Sequence, residues 1–309
     1  MNGIKLISTG SAVPKKAGND DLAKIVDTND EWITTRTGIR SRRYCTDGES
    51  HTSLCLAAAR QALERGGVTP GEIGICLVAT VTPDFLSPAA ACLLQKELGF
   101  PEDTICFDLN AACSGFVYAL HTAECLLAST PRKYGLVLGA EILSRVMDFG
   151  DLRALRRRRR GRPGGVGGKL PLPPRRAGLP GQLRGALRPR RQHCRAPPCP
   201  YGRPVGVPLR RGGCAPLCPG GAGLTPEDID LFVFHQANQR IIDFAVKKLG
   251  IDPARCPGNI ERTGNTSAAS VPLLLDELVG GGAITSGQKA LCVGFGGGLT
   301  WAGALLELA

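Results

Sequence analysis

Between residues 152 and 222 this 309-residue chain has no aspartate or glutamate at all. Those 71 residues contain a single aromatic, Tyr201, together with 14 Gly and 13 Pro, too many for regular strands and helices. Their 17 Arg and one Lys contribute +18 to a net charge of +11, so the rest of the chain carries −7, as an ordinary acidic protein does. The basic balance therefore belongs to one segment. With one aromatic the segment has little to stack on bases, which argues against a single-stranded nucleic-acid platform. A basic arm that binds nucleic acid or an acidic partner through charge alone is the weaker reading. The chain also lacks a signal-peptide pattern and any apolar stretch long enough to span a membrane. A cytoplasmic protein is expected, its 13 cysteines present as thiols. His193, Cys194, Cys199, Cys214 and Cys218 do not have the spacing of a familiar zinc site, so no metal is expected.

The feature of most consequence is Cys113, in Asn-Ala-Ala-Cys-Ser-Gly-Phe at 110–116. Residues 104–109 read as a buried strand, and Phe116, Leu120, Ala123 and Leu127 recur at helical spacing. A cysteine at that junction sits over the first turn of a helix, where unpaired N–H groups and the dipole favour the thiolate. Two partners occur later. His235 ends the apolar run 231–234 and precedes a helical stretch, and Asn265 follows a glycine in Gly-Asn-Thr-Ser at 264–267. Taken singly, the histidine could be structural and the asparagine a turn residue or helix cap.

An internal repeat brings them together. Thr69-Pro70 with Glu72 leads into the strand-like 73–79, and Thr225-Pro226 with Asp228 leads into 231–234. Thr can cap, Pro suits the first helical position, and the acid complements the dipole. The offset is 156 residues; a second match, 135–140 with 290–295, lies at 155. A duplicated α/β unit accounts for both, each half running strand, helix, strand, helix, strand. Equivalent loops of such halves converge, which makes a pocket shared by Cys113, His235 and Asn265 plausible.

Five ordered stretches, 31–39, 110–116, 235–242, 264–270 and 294–301, resemble the β-ketoacyl-(acyl-carrier-protein) synthase III family, condensing enzymes of the thiolase fold. The likeness covers most of 1–151 and 223–309 and implies two pseudo-symmetric α/β halves in layers. It implies that Cys113 takes an acetyl or other short acyl group from coenzyme A and that malonyl-acyl-carrier protein then decarboxylates, its enolate attacking the thioester. The N–H groups of Cys113 and Gly297 would form the oxyanion hole, although Gly296-Gly297-Gly298 read alone is equally a flexible turn. His235 and Asn265 would donate to the enolate oxygen. Thiolases use a second cysteine where Asn265 stands, and hydroxymethylglutaryl-coenzyme A synthases a glutamate base. Plant-type polyketide synthases share Cys-His-Asn but are longer and carry a different glycine loop.

The resemblance further implies coenzyme A contacts from Trp32, Arg36 and Arg240. Trp32 and Arg36, four residues apart, also suit an anchor for the N-terminal helix. An acyl pocket would include Phe85, Leu86 and Phe295, shaped across a homodimer. The pattern blurs at Phe85 and Leu86, so acyl-chain length stays open. No cofactor is implied, coenzyme A being a substrate carrier.

The likeness stops after Asp151, where the family has an arginine and this chain has Leu152, and resumes near Gly223. The strand at 3–9 and the helix at 52–65 should have second-half counterparts near 159–165 and 208–221, and those stretches can supply neither. Arg, Pro, Gly and Ala make up 50 of the 71 residues, as in a GC-rich gene read out of frame. A pair of compensating frame shifts is the simplest account. It leaves an incomplete second half, so an impaired or unfolded member of the family is the alternative to an active one.

Overall fold

The computed structural model describes residues 4–147 and 225–309, all of which belong to one compact unit. The segment expected to be aberrant, 152–222, lies outside the described residues, as do its cysteine cluster and the missing counterparts of the first strand and helix. The first half contains β1 (Ile4–Leu6), β2 (Lys15–Gly18), α1 (Asn19–Ala23), α2 (Asp30–Thr37), β3 (Ser41–Tyr44), α3 (His51–Gly66) and β4 (Ile73–Ala79). It continues with α4 (Ala90–Leu98), β5 (Ile105–Leu109), α5 (Gly115–Leu127) and β6 (Tyr134–Gly139). The second half contains β7 (Leu231–Phe234), α6 (Gln239–Leu249), α7 (Ile260–Thr263), α8 (Ser270–Gly280), β8 (Lys289–Gly296) and β9 (Thr300–Leu308).

The two Thr-Pro stretches build the same local device. Thr69 donates from its N–H and its hydroxyl to Glu72 at 2.9 and 2.8 Å, and Thr225 does so to Asp228 at 2.7 and 2.9 Å. Each pair closes one 3-10 turn, Pro70–Glu72 or Pro226–Asp228, and the chain enters a buried strand at once. In the first half, β4 lies between β5 and β6, all parallel; in the second, the order is β1-β9-β8-β7. β4 with β6 and β7 with β8 are equivalent parallel pairs, and α5 and α8 begin 155 residues apart.

All seven residues of β4 are buried, because both of its faces are covered. Ile75, Leu77 and Ala79 turn one way, into a core with Phe116, Val117 and Leu120 of α5, Val271, Leu274 and Leu275 of α8, and Val233 and Cys292 of the second sheet. Cys76 and Val78 turn the other way, against Cys55 and Ala59 of α3 and Leu94 of α4. The layered α/β expectation is met, with α5 and α8 in the central layer.

Two expectations need correction. β1 is shorter than 3–9, and it pairs in parallel with β9 of the second half, Ile4 opposite Leu306. The middle strand expected for the second half is absent among the described residues; a 3-10 turn at Pro253–Arg255 and the short α7 occupy that stretch. Pro253 and Pro257 lack N–H donors for a ladder. The Gln236 side chain instead accepts the N–H groups of Asn259 and Ile260 at 3.1 and 3.2 Å, holding the backbone away from a sheet.

Two strand glycines fit the halves together. A Cβ on Gly294 would lie 3.0 Å from the Ser114 Cα, at the start of α5. A Cβ on Gly139, its repeat equivalent, would lie 2.2 Å from the Ala268 carbonyl oxygen, at the start of α8. Each half thus leaves out a side chain where the other half's strand-to-helix turn comes closest.

Candidate active site

Cys113 lies in the 3-10 turn Ala112–Ser114 that opens directly into α5. Ala112 has φ 49°, and Ser267, 155 residues later in the turn Ser267–Ala269 before α8, has φ 52°. Left-handed backbone at a non-glycine residue costs about 1–3 kcal/mol and persists where the surroundings impose it. The repeat places the same strained turn at the head of each central helix, and the two turns pack together.

Four groups surround the Cys113 sulfur. The Ser267 hydroxyl, the N–H groups of Gly297 and Cys113 itself, and the Glu141 carboxylate all lie near enough to act on its charge. Gly297 comes this near because Gly296 has no side chain: a Cβ there would lie 2.9 Å from the Cys113 nitrogen. Burial nevertheless pushes the thiol above its ordinary value, with the three donors opposing it. The sequence argument from the helix N-terminus favoured the thiolate. The groups that favour the thiolate are Ser267, Gly297 and the N–H of Cys113 rather than the first turn of α5, and desolvation of the half-buried sulfur outweighs them.

His235 is buried at the end of β7, its ring edge-on to Phe295 with centroids 5.2 Å apart. Burial holds its pKa down at about 4, so the ring is neutral at pH 7. Its Nδ1 lies 2.8 Å from the Ser270 hydroxyl, whose oxygen also accepts the Gln236 N–H at 2.7 Å. In the tautomer whose Nδ1 accepts the Ser270 hydroxyl proton, the ring proton is on Nε2. Asn265 is exposed and follows Gly264, whose φ is 70°. Its Oδ1 accepts the Ser267 N–H at 2.9 Å, an Asx turn that leaves the amide NH2 for a ligand. Cys113 and Asn265 are thus linked through one residue, Ser267.

Trp32 and Arg36 lie on α2 and Arg240 on α6, all three exposed. The helices meet where the Asn238 side chain donates to the Arg36 carbonyl at 3.0 Å and Gly38, with φ 81°, leaves room for Gln239. The structure brings these three to one surface. It does not bury the other expected pair within the single chain: Phe85 is 57% and Leu86 99% exposed. Phe85 lines an open cleft with Thr52, Asp84 and Arg145, while Phe295 packs on His235.

Sequence reasoning missed Ser267, Ser270 and Glu141. The repeat offset maps Ala112 onto Ser267 and carried the signal for the first. Nothing local marks Ser270, an ordinary helix-start serine, or Glu141, which accepts from the Thr82 hydroxyl at 2.6 Å and from the Val81 N–H. Among the described residues no group of three or more His, Cys, Asp or Glu side chains could hold a metal, nine cysteines are free thiols, and no helix is long and apolar enough to cross a membrane.

Comparison with known proteins places this geometry. Residues 107–157 match the family model of 3-oxoacyl-[acyl-carrier-protein] synthase III, and 221–308 match the model of that family's C-terminal part. The β-ketoacyl-[acyl-carrier-protein] synthase III of Clostridium acetobutylicum is 38% identical over 336 aligned residues, covering 99% of each chain. That of Rhizorhabdus wittichii is 38% identical, covering 99% of this chain and all of its own. The crystal structure of 3-oxoacyl-[acyl-carrier-protein] synthase III from Aquifex aeolicus is similar with a TM-score of 0.74 and 35% identity, covering 99% of this chain and 100% of that one. With relatives so similar over nearly its whole length, the chain belongs to the 3-oxoacyl-[acyl-carrier-protein] synthase III family, condensing enzymes of fatty acid synthesis on the thiolase fold.

Proposed function

We propose that the chain joins an acetyl or other short acyl group from acyl-coenzyme A to malonyl-acyl-carrier protein by decarboxylative Claisen condensation, starting fatty acid synthesis. The observation that carries this reading is the close packing of the glycine turn on Cys113, a Cβ on Gly296 lying 2.9 Å from the Cys113 nitrogen, which sets the Cys113 and Gly297 N–H groups beside the sulfur. Those donors suit a carbonyl oxygen that becomes negative as the sulfur attacks.

In the first stage the Cys113 sulfur attacks the acyl thioester, coenzyme A leaves as a thiol with the proton, and an acyl-enzyme remains. Because burial raises the Cys113 pKa, this attack couples to loss of the thiol proton and does not draw on a standing thiolate. In the second stage the malonyl carbon–carboxylate bond breaks, carbon dioxide departs, and the bonding pair becomes an enolate. The enolate carbon attacks the acyl carbon, and the Cys113 sulfur leaves. His235 through Nε2–H and Asn265 through its amide donate to the enolate oxygen. A ring held neutral by burial stabilises that charge without delivering a proton that would quench the nucleophile.

Trp32, Arg36 and Arg240 are assigned to coenzyme A, a flat exposed ring beside two guanidinium groups suiting a nucleotide with phosphates. Phe295 lines the acyl site in this reading, and a homodimer supplies the cover that Phe85 and Leu86 lack in one chain. No cofactor is assigned, and the protein is taken as cytoplasmic. The division into 1–151, a frame-shifted 152–222, and 223–309 is retained; the two family models leave 158–220 between them. The test is the intact mass of the purified chain after incubation with acetyl-coenzyme A, beside Cys113→Ser. A single acetyl adduct absent from the variant supports the reading; no adduct on the wild-type chain refutes it.

A further inference from the structure

The Gly297 N–H stands in a hairpin that does not hold its own shape. β8 and β9 pair antiparallel up to Gly296 opposite Thr300, and the turn between them has φ 83° at Gly298 and 60° at Leu299. Leucine adopts that backbone reluctantly, and Leu299 is 70% exposed, so packing does not impose it. A side-chain chain of hydrogen bonds does tie the hairpin down. The Ser114 hydroxyl, 0% exposed, lies 2.6 Å from the Thr300 hydroxyl. Ser114 also reaches the Ala111 carbonyl at 3.0 Å, and Thr300 reaches the Gly297 carbonyl at 3.3 Å.

Two hydroxyl protons serve these three contacts. The 2.6 Å contact must hold one of them, since two bare oxygens at that distance repel. The other goes to Ala111 or to Gly297. In either arrangement the Ser114–Thr300 bond ties the start of α5, next to Cys113, to the hairpin that carries Gly297, and the second proton anchors that bond at Ala111 or at Gly297. When Ser114 donates to Ala111 it holds the peptide that enters the strained Ala112; when Thr300 donates to Gly297 it holds the hairpin peptide directly. Tyr118 of α5 adds a second tie, donating to the Trp301 carbonyl at 3.2 Å.

We infer that Ser114 and Thr300 are positioning residues that set the Cys113 and Gly297 N–H groups at the spacing a single oxyanion requires. The inference rests on the oxyanion reading proposed above. Neither side chain touches the sulfur or the substrate; they act through the two donors. Because each donor must stand about 2.7–3.1 Å from the developing charge, with a tolerance of a few tenths of an ångström, loosening one costs rate and leaves coenzyme A binding alone.

The experiment uses the full chain, with Ser114→Ala, Thr300→Val, Thr300→Ser and the Ser114→Ala/Thr300→Val double variant. Acetylation of Cys113 by acetyl-coenzyme A is timed by intact mass across substrate concentrations, and alkylation of the same thiol by iodoacetamide is timed in parallel. Alkylation needs a reactive sulfur and no oxyanion hole. The expected result is a fall of roughly 10- to 100-fold in the limiting acetylation rate of Ser114→Ala and Thr300→Val, at unchanged half-saturation. The double variant is no slower than the worse single one, since both break one chain. Thr300→Ser keeps the hydroxyl and recovers most of the rate, and alkylation stays within about twofold throughout. Acetylation at the wild-type rate in the single variants overturns the inference and leaves the site reading intact. Alkylation falling in step with acetylation also overturns it, because the thiol and not the oxyanion hole is then what changed. A wild-type chain that takes no acetyl group removes the site reading and this inference with it.

Discussion

Replacing Gly139 by alanine puts a methyl group 2.2 Å from the Ala268 carbonyl oxygen and 2.8 Å from its carbon. Ordinary contact at such a position begins near 3.4 Å, so the gap must widen by more than 1 Å. No flexible side chain can give way, because the obstacle is backbone at the head of α8. That turn carries Ser267, whose hydroxyl lies near the Cys113 sulfur and whose N–H donates to Asn265. A control lies four residues upstream in the same strand: a Cβ on Gly135 would meet nothing closer than 3.8 Å. Overpacking of this kind costs about 1–3 kcal/mol, whereas alanine in place of an unstrained strand glycine is neutral or gains a few tenths. At about 2–4 °C per kcal/mol for a chain of this size, Gly139→Ala should melt roughly 2–12 °C below Gly135→Ala. Urea denaturation of both variants measures the difference, and acetylation of Cys113 reports whether the site moved. Midpoints within about 0.5 kcal/mol of each other, with equal acetylation, would show that the two halves do not meet closely at Gly139.

The buried His235 gives a pH signature. Its folded pKa of about 4 lies below the 6.5 of the free side chain, so its contribution to stability is complete above pH 6.5 and lost as pH falls toward 4, by about 3 kcal/mol at most. Urea midpoints at pH 7 and 4.5 should therefore converge in His235→Gln, and a wild-type pH slope retained in that variant counts against the assignment. Arg36→Ala and Arg240→Ala should each raise the half-saturation for acetyl-coenzyme A roughly three- to tenfold with little change in limiting rate, as uniform binding predicts. A loss confined to the limiting rate would contradict the nucleotide role. Leu274→Ala, removing a side chain 2% exposed at the centre of the shared core, should cost about 2–5 kcal/mol in urea denaturation. A cost under about 1 kcal/mol would mean that the core is loosely packed there.

What the chain's residues disclosed in advance was what local pattern can encode. The Thr-Pro-acid starts, the buried strands and the helix after Cys113 each follow from spacing within a dozen residues, whereas the Cys-His-Asn triplet rests on the 155-residue repeat and the family likeness. What stayed hidden depends on distant backbone. Ile4–Leu6 reads as a strand, but its partner is decided by which sheet has an open edge beside it. The strand, helix, strand, helix, strand order implies a middle strand in the second half, yet Pro253 and Pro257 stand where it would run. Ser267 and Ser270 matter because of which turn and which histidine they meet, and serine gives no periodic signal. The upward shift of the Cys113 thiol arises from burial in the folded chain, which local spacing around Cys113 does not encode.

The pairing of β1 with β9 also governs the order of events during synthesis. Ile4 leaves the ribosome about 300 residues ahead of its partner Leu306. At roughly 5–20 residues per second that is a wait of about 15–60 s, during which the β1 backbone has no ladder. A contact of such long sequence separation also pays its loop-closure entropy late and slows the final assembly. The edge formed by Ile4–Leu6 is thus the last seam to close and the first to be offered to a chaperone.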